Sequence, residues 1–89
     1  DLGGAKVDGL LLVSDHPILQ IGPIGSQSDY LLAILTEQGI QIRAGCFNGT
    51  LAEFATEVKH KHGDNNHGRE YAAAILMIEA HAAIWTPTA

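Results

Sequence analysis

The stretch "YLLAILTEQGIQIRAG" (residues 30–45) decides the fold. Two β-compatible runs, residues 30–36 and 40–45, flank "EQG", which has the length and the closing Gly39 of a hairpin loop. The two strands therefore pair antiparallel. In the second, Ile40, Ile42 and Ala44 alternate with Gln41 and Arg43, so one face is buried and the other polar. In the first, Tyr30, Leu32 and Ile34 share one face while Leu31, Ala33 and Leu35 share the other, and both faces need cover. A single helical layer supplies only one of them.

Upstream, "GLLLV" (9–13) reads as a strand closed by the turn formers of "SDHP", and "ILQI" (18–21) as another. "GPIGSQSD" (22–29), rich in glycine and serine, reads as a loop. Downstream, "TLAEFATEVKHKHG" (50–63) is a helix. Thr50 and Glu53 have capping-box spacing, Leu51, Phe54, Ala55 and Val58 form one stripe, and Lys59, Lys61 and Gly63 close it. A second helix runs from Gly68 to about Ile84, with Pro87 blocking extension. Tyr71, Ile75, Ile78, Ala82 and Trp85 mark one of its faces, but Leu76, Met77, Ala80 and Ala83 make it apolar nearly all round. Such a helix packs on the sheet and on another subunit, which predicts a homo-oligomer. The expected fold is a small α+β domain over residues 11–89, an antiparallel sheet of about four strands with two C-terminal helices on one face. Residues 1–10 form a lead-in in which Leu2, Ala5 and Val7 follow a five-residue rhythm, like the last turns of a pentapeptide-repeat coil.

Composition narrows the function. The 89 residues carry 46% hydrophobic and 17% charged side chains, which suits a globular domain. A net charge of −5 gives the counterion release that drives nucleic-acid binding little to act on. There is no signal segment and no apolar run long enough for a membrane span, and the lone Cys46 has no disulfide partner, so the expected setting is soluble and cytosolic. The opening on Asp1 rather than Met reads as a processed or truncated piece of something longer. No phosphate-loop or dinucleotide fingerprint is present, and no cofactor is expected.

The hairpin locates a candidate site. The start of one strand and the exit of its partner share one end of the hairpin, so "GPIGSQSD" and "CFNGT" should be neighbours. If "NGT" opens the helix at that same end, free amide donors and a positive dipole join them, the usual ingredients of an anion site. Gly22, Gly25, Gly45 and Gly49 would let a ligand approach the backbone. Ser26, Ser28, Asp29, Asn48 and Thr50 would offer polar contacts, Arg43 a charge and Phe47 a stacking face. The bland reading is that these are turn residues and a cap.

On the same reasoning "HGDNNHGREY" (62–71) falls at the opposite end of the strands, a helix–helix link with Gly63 as C-cap and Asn66 or His67 as N-cap, Glu70 completing a capping box. His60, His62, Asp64 and His67 are ligand types, but His60 and His62 point apart on a helix, and no metal is expected. Cys46 has no histidine near it in sequence to act as a base, so the chain reads as a binding module before an enzyme.

The runs "ILQIGPIGSQSDYLLAI", "IRAGCFNGTLAEF" and "HGDNNHGREYAAAI" together resemble a domain of uncharacterised phage and prophage proteins, some of which carry pentapeptide repeats just before it; the match covers about residues 18–78. The resemblance implies a phage context and action in the bacterial cytoplasm, with no activity attached. Where many relatives read Gly-Pro-Ile-Gly-Ser-Arg, this chain has Gln27, which removes a cation from the proposed loop. The leading expectation is a non-enzymatic phage-type module that binds a small anionic or nucleotide-derived ligand, sequestering a host immune signal. The alternative is a protein-interaction module that inhibits or recruits a host protein through its acidic surface.

Overall fold

The structure is a computed structural model that describes residues 6–7, 10–14, 16–25 and 29–85. Strands β1 (Lys6–Val7) and β2 (Leu10–Leu11) make a small antiparallel pair of their own. The main sheet is an antiparallel meander of four strands in chain order: β3 (Ile18–Ile24), β4 (Asp29–Thr36), β5 (Gly39–Ala44) and β6 (Phe47–Thr50). Helices α1 (Leu51–Lys61) and α2 (Asn66–Trp85) follow. The fold is therefore α+β, as the hydrophobic pattern predicts.

The fourth strand is not the expected one. Residues 10–11 pair with residues 6–7, and the chain touches the main sheet just after them, Leu12 as a bridge to Thr36 and the Val13 N–H donating to Leu35 O. The strand that completes the sheet is Phe47–Thr50, a segment whose Asn-Gly pair reads as loop. A tight turn at Gly45–Cys46, with Gly45 at φ +57°, reverses the chain so that Phe47 sits opposite Ala44 and Thr50 opposite Gln41. Nor is 22–29 all loop. β3 continues through a bulge at Gly22–Pro23 to Ile24, which pairs with Asp29. The pentapeptide-like rhythm at Leu2 and Ala5 lies outside the described residues.

Alternation along the strands sorts the two faces. Leu31, Ala33 and Ile42 are at most 1% exposed and form one cluster with Phe54 and Val58 of α1 and Ala74 and Ile78 of α2. α1 lies over β5 and β6, and α2 over β3. Each fully buried aliphatic side chain of this cluster contributes about 1.5–3 kcal/mol relative to exposure. Arg43, in register with Leu32 and Asn48, belongs to the face away from the helices. The doubly apolar β4 obtains its second cover only in part: Ile34 and Thr36 are buried near the Leu12 bridge, while Tyr30 stays exposed.

The termini of the elements carry their own hydrogen bonds. Thr50 Oγ1 accepts from the Glu53 N–H at 3.1 Å and the Glu53 carboxylate accepts from the Thr50 N–H at 2.8 Å, the reciprocal capping box read from the sequence. Gly49 makes room for it, since a Cβ there would lie 2.8 Å from Glu53 Oε1. The cap of α2 is Asn65 rather than Asn66 or His67: its Oδ1 accepts from the Gly68 N–H at 2.8 Å. Glu70 is thereby released from the predicted capping box and reaches elsewhere.

Candidate functional site

The extra strand decides where the site is built. β6 carries the chain back along β5, so α1 starts beside the Thr36–Gly39 turn and its C-terminus returns to the Gly45–Cys46 turn. This reverses the expected placement. The capped N-terminus of α1, with its dipole, stands away from the glycine turns, whereas the "HGDNNHG" link stands beside them.

At that shared end is an open cleft of about 460 Å³, within the usual size of small-molecule sites. Its floor is the sheet end, with Asp29, Tyr30, Gly45, Cys46 and Asn48; its wall is α1 with Glu57, Lys61 and His62; Tyr71 of α2 closes one side. Rings run along it in unbroken contact. Phe47 and Phe54 have centroids 5.3 Å apart, Phe54 and Tyr71 5.5 Å, Tyr71 and His62 5.8 Å in a stacked pair, and His62 and His67 5.6 Å. Such offset and edge contacts are favourable for aromatic quadrupoles.

Local geometry explains why this end holds together. The His62 N–H donates to Val58 O and the Gly63 N–H to Lys59 O, ending α1 with Gly63 at φ +57°. A Cβ on Gly68 would sit 2.1 Å from Gly63 O, so glycine is what allows the start of α2 to pass the link and bring Tyr71 against His62. Gly25 is held likewise. A side chain there would overlap the Tyr71 hydroxyl, and the Gly25 N–H donates to the Glu70 carboxylate at 3.3 Å.

The electrostatics are mixed rather than cationic. Asp29 and Glu57 line the cleft with one ammonium, that of Lys61. Tyr71 is held above the ordinary tyrosine value, first by partial burial and then by the Glu70 and Asp29 carboxylates, so its hydroxyl stays a donor. Among the described residues, no three His, Cys, Asp or Glu side chains gather where they would hold a metal ion. Also among them, no helix is long and apolar enough to cross a membrane.

Of the residues singled out in the sequence, Asp29, Gly45, Phe47 and Asn48 line this cleft. Gly22 sits in the β3 bulge and Gly25 in the β3–β4 turn beside it, Gly49 and Thr50 belong to β6 and the α1 cap, and Arg43 lies on the other sheet face. Ser26 and Ser28 lie outside the described residues. Among the lining residues that sequence reasoning missed as ligand contacts are Tyr30, Cys46, Glu57, Lys61, His62 and Tyr71. The signal that would have found His62 and Tyr71 is Gly45 before Cys46, which permits a two-residue hairpin and so a further strand. Compared with models of protein families, with curated proteins and with solved structures, the chain finds no match.

Proposed function

We propose that the protein is a non-enzymatic module that binds a small nucleotide-derived molecule in the cleft between the Gly45–Cys46 turn and the end of α1. The observation that carries this reading is the ring row Phe47–Phe54–Tyr71–His62 beside a cleft of nucleoside size. Base–aromatic contact contributes about 1–3 kcal/mol and tolerates any base, because each has a π face. Asp29 and Glu57 accept from exocyclic amino groups or sugar hydroxyls, and Lys61 meets one phosphate. Two carboxylates against one ammonium disfavour a triphosphate, so the ligand carries a single phosphate group, as in a cyclic nucleotide with one charge or a mononucleotide with up to two. Within the phage setting that the sequence resemblance implies, such a module sequesters a nucleotide signal of the bacterial host.

The test is a thermal-shift and calorimetry panel of nucleosides, cyclic nucleotides and triphosphates. Ligand at a hundred times its Kd should add about 2.7 kcal/mol of stability, a melting rise of several degrees at this size. Phe47→Ala and His62→Ala should cut the response by about half or more, while Arg43→Ala on the other sheet face should leave it. No response to any member of the panel contradicts the proposal.

A further inference from the structure

We infer that two copies of this chain associate through the outward face of α2, packed antiparallel about a twofold axis at Ala80. Ala73, Leu76, Met77, Ala80, Ala83 and Ile84 recur at helical spacing on one side of α2, and all are exposed. Leu76, Met77 and Ile84 stand 69%, 54% and 70% exposed, respectively. The core-facing side is occupied by Ala74 and Ile78, so this stripe is surplus to the fold. Glu70, Glu79 and His81 fall roughly 80–100° from its centre at 100° per residue, which leaves a charge-free band about 120° wide over three turns.

The stripe matches itself. With Ala80 facing Ala80 of the second copy, Leu76 meets Ala83 and Met77 meets Ile84, so bulky layers flank a narrow waist where the backbones approach. A parallel pair would instead stack the Leu76–Met77 layers on each other and leave the alanine layers thin. Arg69 continues the stripe one turn before Ala73, and the antiparallel arrangement keeps it from meeting a second Arg69 across the interface. A three-turn contact with its flanks removes on the order of 1,100 Å² in total, just below the range of standard stable interfaces. A reversible dimer follows, independent of whether the cleft is filled.

Sedimentation equilibrium and directed cross-linking test this. The native sequence should show a monomer–dimer equilibrium, and Leu76→Glu should weaken it at least tenfold without changing the melting of the dilute protein, because the side chain is already largely in water. In a Cys46→Ser background, which removes the lone cysteine, oxidised Ala80→Cys should cross-link efficiently. Leu76→Cys alone should not, whereas Leu76→Cys with Ala83→Cys should. A monomer at millimolar concentration, a dimer unaffected by Leu76→Glu, or self-cross-linking of Leu76→Cys to the same extent as Ala80→Cys would each overturn the inference.

Discussion

The two ends of the sheet are built from similar residues and do opposite things. At one end, Thr36 Oγ1 donates to Gly39 O at 2.7 Å and accepts from the Gln38 N–H, and beside that turn Thr50 and Glu53 cap α1. Every polar group named there is occupied by another. At the other end the chain also turns on glycines, Gly25 and Gly45, but there two helix termini converge and leave Cys46 exposed and Asp29, Lys61 and His62 around open space. Glycine and polar turn residues thus do not mark a site by themselves. What separates the ends is whether capping and turn geometry have already consumed the polar groups.

The largest expected effect breaks the open end. Gly68→Ala pushes a methyl against Gly63 O, a backbone atom that cannot swing aside. Such overpacking should cost about 3 kcal/mol by urea unfolding and should remove the ligand response, since it parts Tyr71 from His62. Gly39→Ala, at φ +103° but with nothing within 4 Å, should cost only about 1–2 kcal/mol from backbone strain and spare binding. Equal losses from the two would show that the Gly63–Gly68 approach is not what holds the open end.

Next in size, Thr50→Ala removes the cap at the closed end and should cost about 1 kcal/mol in thermal or urea unfolding, with ligand response intact. His62→Ala should do the reverse, costing about 0.5–1.5 kcal/mol through the lost ring contacts while lowering ligand affinity at least tenfold in calorimetry. Any ligand effect of Thr50→Ala would argue that the helix start takes part in binding after all.

The sequence made most of the architecture readable. The alternation of Ile40, Ile42 and Ala44, the capping box at Thr50 and Glu53, and the stripe Phe54–Val58 all report local physics, and the structure contains each of them. What was not readable was the direction of α1 relative to the hairpin, because it depends on four residues, Phe47–Thr50, whose composition suits a turn and whose pairing with β5 is tertiary. A single strand more or less reverses which helix end meets the glycine turns. That is why Asp29, Phe47 and Asn48 were found while His62 and Tyr71 were assigned to the far side. Asn65 escaped for a smaller reason: adjacent Asn residues compete equally for a cap, and the Gly68 approach selects the earlier one.

The smallest effect sharpens the electrostatics of the open end. Tyr71 titrates above the ordinary tyrosine value in the folded protein, so its contribution to stability is complete below the unfolded-state pKa near 10 and is lost as pH rises through the higher folded value. Ultraviolet titration of a Tyr30→Phe variant isolates it. Glu70→Gln should bring the transition part of the way down, and burial should hold the remainder up.

The most direct test of the account is an amide NMR titration with the nucleotide that raises the melting temperature most. Shifts should concentrate at Tyr30, Cys46, Asn48, Lys61, His62 and Tyr71 and be negligible at Thr36–Gly39 and at the start of α1. Shifts centred on the closed end, or on Arg43 and the opposite sheet face, would contradict it.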